Sequence, residues 1–361
     1  MRPRRSSSFR WLCLLALSAA LGACSQAVVP ISTTAPPPPT EKPPAIPPPP
    51  PATNTIPARS ADGVKATLSY LLAFHACSAF TADCSDPRQH RVYLAQSDDG
   101  VAWDLLPGWQ PFQGSVPDVV RRGNVVYVYT GPTLVRLDLS TGQQSTPQSV
   151  QIRTSDGGSA DVMPTDVSLV LDDEGRLVLF FLFGSPGSDP AMCPPGEAAC
   201  TKRIGSATES EGSDGAAFVL DNGDRLSVSI GAGTPFQSAS DPDVWSDGRD
   251  YYLLLSHGPW MTLWMSDRLH GEYRQLDVPP MGFLSAGSGG VGAGFFEPHT
   301  GAPWIYAHIR QQVGMVIRRA APKDLSRQLE ESDWMTVLTG DGLGFEPGTN
   351  VESPGFAVNQ P

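Results

Sequence analysis

The stretch SDPDVWSDGRDYYLLLSHG, residues 240 to 258, decides the fold of this chain. It predicts a strand, a tight turn and a second strand. The turn falls at Ser246-Asp247-Gly248, because glycine adopts the positive φ that a hairpin needs. The run from Tyr251 to Leu255 is aromatic and aliphatic, which is typical of a strand. Residues 261 to 267, MTLWMSD, predict a third strand.

The same pattern recurs three times elsewhere in the chain. It surrounds VPDV at 116–119, PTDV at 164–167 and the glycine-rich stretch 290–296, and each copy is followed by a turn and an apolar run. A recurring unit of three or four antiparallel strands is typical of the blades of a β-propeller. The sequence therefore predicts four blades, which begin near Asp118, Asp166, Asp243 and Gly292.

A fifth blade is expected from the two ends of the globular region. Residues 66–103 look like second and third strands that lack a first strand, and residues 351–358 predict a lone strand. Pairing the two ends removes both exposed edges. We therefore expect an all-β, five-bladed β-propeller over residues 64–361 whose termini close one blade. The turn Asp98–Trp103 resembles an Asp-box with Gln96 in the Ser/Thr place, and it supports the fold only.

The composition is that of an exported, turn-rich protein. Gly and Pro number 36 each, charged residues make up 17%, and the formal net charge is -12. An acidic chain of this kind is a poor partner for nucleic acid or an anionic surface, but neutral glycans are not disfavoured. Residues 287–294 are glycine-rich but lack the Lys and the following helix of a phosphate loop. We expect no metal and no cofactor.

The N-terminus carries a targeting signal. Residues 1–23 combine four arginines with the short apolar run 11–21 and end in Leu21-Gly22-Ala23 before Cys24. This ending resembles the lipobox of bacterial lipoproteins, which implies that Cys24 is lipidated and becomes the new N-terminus. The alternative is an ordinary signal peptide with an incidental cysteine. Lipidation implies a protein on the outside of the cytoplasmic membrane, or on the outer membrane if the cell has two.

Residues 24–63 form a proline-rich linker. Polyproline is extended and cannot bury a core, so we expect a disordered tether that lifts a monomeric domain from the lipid surface. The membrane is then contacted through the lipid anchor alone.

Four cysteines remain in the globular region. Cys77 and Cys84 form one closely spaced pair, and Cys193 and Cys200 form another. Outside the cytosol, such pairs predict two local disulfides. The alternative is a metal site made of all four thiolates, although neither pair has CxxC-type spacing.

Three aspartates occupy what look like equivalent places at the start of successive innermost strands: Asp118, Asp166 and Asp243. Innermost strands surround one axis, so these side chains are expected to converge at one mouth of the channel. Crowded carboxylates repel one another, and at least one pKa should rise. The alternative is structural, because Asp also accepts hydrogen bonds from strand-start amides and neighbouring blades.

With these residues the chain resembles the five-bladed propeller glycoside hydrolases of the arabinanase/β-xylosidase and invertase/levansucrase group. The resemblance implies acid/base hydrolysis of a carbohydrate, with Asp118 as base or nucleophile, Asp166 as the residue that tunes pKa values, and Asp243 as general acid.

The chain departs from this family in two places. The family carries Glu at the acid position, and its first Asp usually precedes the Pro, where this chain has Val116. Asp241 has the Asp-Pro order instead, and Glu209 or Glu211 could supply a substitute acid.

Several other side chains are candidates for contacting a ligand. His75, His257 and His308 end second strands, where hydrogen bonding behind the site is favoured over direct substrate contact. Trp260 and Trp109 are candidate sugar platforms, with burial between blades as the alternative. The sequence therefore indicates a glycoside hydrolase-like propeller, and the alternative is a non-catalytic propeller lipoprotein that binds glycan or protein.

Overall fold

The computed structural model describes residues 69–78, 84, 86–184, 189–312 and 314–359. These residues form five antiparallel sheets of four to six strands, arranged as the blades of a β-propeller. The all-β, five-bladed architecture predicted from the sequence is confirmed. The signal, Cys24 and the proline-rich linker lie outside the described residues.

Each blade consists of consecutive strands counted outward from the axis. Blade 1 contains Pro117–Arg122, Val125–Thr130, Thr133–Asp138, Gln143–Gln144 and Gln148–Ser149. Blade 2 contains Met163–Leu171, Leu177–Gly184, Ala199–Glu209, Ala217–Leu220 and Leu226–Gly231, and Gln151–Arg153 adds a parallel outer strand. Blade 3 contains Ser240–Ser246, Tyr251–Ser256, Trp260–Ser266, Arg274–Gln275 and Ser285–Ala286.

Blade 4 contains Gly290–Phe296, Pro303–Gln311, Gly314–Ala320 and Trp334–Leu338. Blade 5 begins with the C-terminal strand Thr349–Val358 and continues with Tyr70–Ser78, Arg91–Ser97, Asp104–Leu105 and Phe112–Gln113. Three short 3-10 helices span Pro87–Gln89, Glu331–Asp333 and Asp341–Leu343.

Blade 5 closes the ring, as the sequence predicted. Its inner strand pairs antiparallel with the strand that starts the described chain, from Tyr70 opposite Val358 to Ser78 opposite Thr349. Each inner strand also contacts the inner strands of its two neighbours, including blade 5 against blade 1. The two terminal segments are therefore both required for a closed ring.

The hydrophobic core lies between adjacent blades. Each sheet contributes apolar side chains from both faces, because a propeller blade is covered on both sides. At the junction of blades 4 and 5, the rings of Phe295 and Phe356 stack with centroids 3.7 Å apart. Trp109 is 7% exposed and packs in the core between blades 5 and 1, where its indole N–H donates to the carbonyl of Val92. Its alternative interpretation, burial, is the one observed.

The Asp-box-like turn forms in blade 5, with one difference from the sequence interpretation. Ser97, rather than Gln96, supplies the hydroxyl, which accepts a hydrogen bond from the N–H of Gly100 at 2.9 Å. The carboxylate of Asp99 accepts from the N–H groups of Val101 and Ala102. The turn is thus closed by its own side chains.

Both predicted disulfides are present. Cys77 is bonded to Cys84, and Cys193 is bonded to Cys200. No helix in the described part of the chain has the length and apolar character needed to cross a membrane.

Candidate functional site at the mouth of the ring

We define the mouth as the face of the ring at which the five inner strands begin. One non-glycine residue per blade has a left-handed backbone there, with φ between 48° and 54°: Val116, Asp166, Asp241, Val291 and Ser353. In blades 2 to 5 the pairing register shifts at this residue, as in a β-bulge. These five residues are therefore structurally equivalent and surround the axis.

This equivalence corrects one prediction from the sequence. Asp166 is equivalent to Asp241 and Val116, whereas Asp118 and Asp243 lie two residues further along their strands. The three aspartates that were expected to form one ring therefore belong to two layers. Because blade 1 places Val116 at the mouth, that blade brings no carboxylate to the outer layer.

The inner layer consists of Asp118, Ser168, Asp243, Ala293 and Gly355. The first three link adjacent blades through the backbone. Asp118 accepts from the N–H of Leu169 at 2.7 Å, Ser168 from Val244 at 3.0 Å, and Asp243 from Gly294 at 2.8 Å. In each case a side chain of one blade binds the next inner strand. The structural alternative considered for Asp118 and Asp243 is therefore visible in their contacts.

Burial dominates the electrostatics of this inner layer. Desolvation raises the pKa of Asp118 to about 7, although the N–H groups of Leu169 and Val119 act in the opposite direction. Desolvation, followed by the charge of Asp118, also raises the pKa of Asp243 well above its usual value. The two side chains are only 6% and 9% exposed. They are held in place by backbone donors and have little access to a ligand at the mouth.

The outer layer holds the carboxylates that a ligand can reach. Asp166 and Asp241 are both half-buried, and the Asp166 carboxylate lies 3.4 Å from the backbone nitrogen of Asp241, which donates to it. Burial raises the pKa of Asp241 to about 6. Burial and then the charge of Asp241 raise the pKa of Asp166 well above its usual value. Near neutral pH this pair holds a proton more readily than ordinary surface carboxylates do.

A third carboxylate, which the sequence analysis did not identify, acts on this pair. Asp189 is exposed, and its negative charge raises the pKa of both Asp166 and Asp241. Its loop is fixed where the N–H of Ala239, just before the inner strand of blade 3, donates to the carbonyl of Ala191. The Cys193–Cys200 disulfide closes the same loop. The only sequence signal for Asp189 was an Asp-Pro pair like that at Asp241.

The three predicted histidines support the mouth from behind. The N–H groups of Val116 and Ser353 donate to Nδ1 of His75 and His308 at 3.2 and 3.0 Å. His257 hydrogen-bonds through Nδ1 to the Ser238 carbonyl at 2.7 Å. Burial lowers the pKa of His257 and His308 to about 4 each, so both rings are neutral near pH 7. These contacts hold the backbone of the mouth.

Trp260 is the aromatic side chain best placed to meet a ligand at this face. It begins the third strand of blade 3 at the mouth end, is 38% exposed, and packs edge-on against Phe283. An exposed indole of this kind can stack against a sugar ring.

The substitute acids considered from the sequence lie elsewhere. Glu209 ends a blade 2 strand at the face opposite the mouth, where it forms a salt bridge with Arg122 and accepts from the N–H of Leu177. Glu211 lines a cavity of about 630 Å³ on that same face, together with Glu209 and Asp214. The interpretation that either residue reaches the mouth is therefore wrong.

No family model matches the chain, and no curated protein matches it. Solved structures similar to it include a GH43B protein of a Bacteroides ovatus xyloglucan locus, at 14% identity and a TM-score of 0.44 over 80% of this chain and 55% of that one. This chain thus spans about half of that protein. An endo-arabinase from Bacteroides thetaiotaomicron has 15% identity and a TM-score of 0.47, with coverage of 66% and 88%.

A further similar structure is an exo-1,5-alpha-L-arabinanase from a bovine ruminal metagenomic library. It has 14% identity and a TM-score of 0.42, and the match covers 76% of this chain and 95% of that one. At these identities the similarity concerns the fold alone.

Proposed function

We propose that this protein is a carbohydrate-binding propeller whose ligand sits at the mouth. Asp166 and Asp241 would accept hydrogen bonds from sugar hydroxyls, and Trp260 would stack against a ring face. The observation that carries the proposal is the division of the acids into two layers. Two reachable carboxylates remain on adjacent blades, whereas Asp118 and Asp243 are occupied by backbone N–H groups.

This arrangement favours binding over hydrolysis. Glycosidases place two carboxyl groups on either side of the scissile bond, about 5 to 9.5 Å apart. Here the Asp166 carboxylate touches the backbone of Asp241, so both acids lie on one side of the axis, and blade 1 offers Val116. We therefore give the mouth a binding role.

Acid/base hydrolysis is the second candidate, and the raised pKa values of the outer pair favour it. One protonated carboxyl beside one ionised carboxylate is the pairing that glycosidic cleavage requires. On this candidate Asp166 and Asp241 would carry the reaction. The assignment of base to Asp118 and acid to Asp243 would require both side chains to leave their interblade contacts.

Anchoring through a lipid on Cys24 belongs to the same proposal. Its support is the Leu21-Gly22-Ala23-Cys24 ending and the proline-rich residues that follow. A lipid-anchored monomer would present the propeller outside the cytoplasmic membrane, where polymeric glycans occur.

The test is a glycan array probed with the full chain, followed by assays of reducing-end release from arabino-, xylo- and fructo-configured glycans. We expect binding without turnover, and we expect Trp260→Ala and Asp241→Asn to weaken binding at least ~10-fold. Met335→Ala is the matched control, because Met335 is also exposed but lies on the outer strand of blade 4. Absence of any glycan binding would refute the proposal, and turnover lost in Asp241→Asn would establish the second candidate.

A further inference from the structure

A second cluster of reactive side chains lies on the two strands that close the ring. His75 and Cys77 are two residues apart on one strand, so both point to the same face of the sheet. Glu352 lies directly opposite His75 on the C-terminal strand, and Asn350 lies opposite Cys77. Cross-strand partners share a face, so the register alone brings these four side chains together.

Cys84 completes the cluster from the other side. The ligand atoms of Cys77, Cys84 and Glu352 all lie within 4.8 Å of one another. One oxygen of Glu352 is 3.9 Å from Sγ of Cys77, and the other is 3.9 Å from Nε2 of His75. The corners of a tetrahedral zinc site with ordinary bond lengths are about 3.3 to 3.8 Å apart. The spacing therefore fits a small tetrahedral ion once the sulfur atoms separate.

His75 supplies an independent indication that a ligand belongs here. The side chain is 2% exposed, and its Nε2 has no hydrogen-bond partner among the described residues. Buried polar atoms are nearly always paired. The unpaired nitrogen lies beside the Glu352 carboxylate, whose other oxygen already accepts from the amide of Asn350 at 3.1 Å. The same amide also donates to Sγ of Cys84 at 3.3 Å.

We propose that the reduced form of this cluster is a Zn²⁺ site, with Cys77, Cys84, His75 and Glu352 as the four ligands. Two thiolates, one imidazole and one carboxylate are a donor set that zinc accepts in tetrahedral geometry. Asn350 orients two of the ligands through its amide, as outer-shell partners of zinc commonly do. The disulfide and the zinc-bound dithiolate are thus two alternative clamps between the same terminal strands.

The exchange between the two clamps balances without a further reactant. A dithiol reduces the Cys77–Cys84 bond by two electrons, becomes a cyclic disulfide and leaves one proton on each sulfur. Zn²⁺ then replaces these two protons, which go to solvent. Oxidation of the pair by another disulfide reverses the reaction and releases the ion.

Zinc binding at this cluster would also be felt at the mouth. His75 now accepts the N–H of Val116 at Nδ1, so its ring proton is on Nε2. A metal on Nε2 moves that proton to Nδ1, and Val116 loses its acceptor. The ion at blade 5 is therefore coupled to the backbone of the first mouth residue of blade 1.

The test uses the full chain, reduced with a phosphine that binds zinc weakly, and then one equivalent of Zn²⁺. Iodoacetamide labelling and peptide mass spectrometry report which thiols the ion protects. We expect protection of Cys77 and Cys84 by at least ~10-fold in labelling rate and no protection of Cys193 and Cys200. The second pair is an internal control, because it has the same spacing and the same chain carries both.

Two further measurements keep the result interpretable. Co²⁺ in place of Zn²⁺ should give the thiolate charge-transfer band and the strong visible bands of a tetrahedral site. Glu352→Gln, which keeps the contact with Asn350, should weaken Zn²⁺ binding at least ~10-fold in competition with a chromophoric chelator. Equal labelling of all four cysteines with and without zinc would overturn the proposal, as would Glu352→Gln binding zinc like the wild type.

Discussion

The carboxylate of Asp166 receives the backbone N–H of Asp241 at 3.4 Å, across the boundary between blades 2 and 3. Both residues have left-handed backbones, and the two are the only acids among the five equivalent mouth residues. The contact therefore joins two carboxyl groups that hold protons more tightly than usual. Their titration offers a direct measure of the mouth.

Replacement of Asp241 by Asn should stabilise the protein at neutral pH. The folded pKa of about 6 lies above the usual 3.8, so the folded state holds extra protons between these values and loses stability as pH rises through them. Asn carries no charge and tolerates a left-handed backbone. We expect a gain of up to about 3 kcal/mol near pH 7.5 and no gain near pH 4.

Chemical denaturation at both pH values measures this difference. Asp104→Asn is the control, because Asp104 is an exposed acid on an outer strand of blade 5. A gain of the same size at both pH values would contradict the explanation.

Removal of Asp118 should cost stability by leaving the N–H of Leu169 without its partner. An unsatisfied buried donor costs about 1 to 3 kcal/mol. Near pH 5 a carboxyl group with a pKa of about 7 is neutral, so loss of its charge does not obscure the effect. Asp118→Ala should be the least stable variant, and Asp118→Ser should be intermediate, since Ser168 makes the same link one blade on.

Urea denaturation of the two variants near pH 5 gives the order. If Asp118→Ala matches the wild type in stability, the interblade link is not a stabilising contact. Loss of glycan turnover with unchanged stability would return Asp118 to a catalytic role.

Replacement of Gly355 by Ala should disturb the closure of the ring. An added Cβ would lie 2.6 Å from Cα of Asp118 and 2.7 Å from the carbonyl oxygen of Pro117. Backbone atoms cannot move aside cheaply, so overpacking should cost about 1 to 3 kcal/mol. Thermal melting of Gly355→Ala is compared with Gly158→Ala, where the nearest atom is the Thr154 hydroxyl at 3.0 Å. Equal melting temperatures would show that blades 5 and 1 are not tightly packed here.

Fatty acid labelling tests the anchor. Radiolabelled palmitate should enter the wild-type protein in a bacterial host and should not enter Cys24→Ala, because the thiol is the site of acylation in a lipobox. Cys13→Ala is the control, since Cys13 lies inside the apolar run of the signal. Equal incorporation into the wild type and Cys24→Ala would exclude lipidation at this cysteine.

The fold was predictable because its determinants are local and repeated. The turn at residues 246–248 and the apolar run that follows it recur in other blades, and the unpaired strands at both ends require each other. The two disulfides were predictable for the same reason, since each closes a short loop.

The layout of the mouth was not predictable, because a bulge changes the register without a sequence mark. Residues 118–119 and 166–167 are both Asp-Val, and this match suggested that Asp118 and Asp166 were equivalent. The left-handed residue of each blade is not glycine, so no glycine revealed the shift. The contrast between buried Trp109 and exposed Trp260 likewise depends on packing between distant strands.

The pairing of Tyr70 with Val358 has a consequence for how the chain acquires its structure. Nearly the whole described chain separates these partners, and contacts of such long sequence separation slow folding. The inner strand of blade 5 is also among the last segments to leave the ribosome. The ring consequently cannot close during synthesis, and a chain that must stay open for export gains that interval from its own topology.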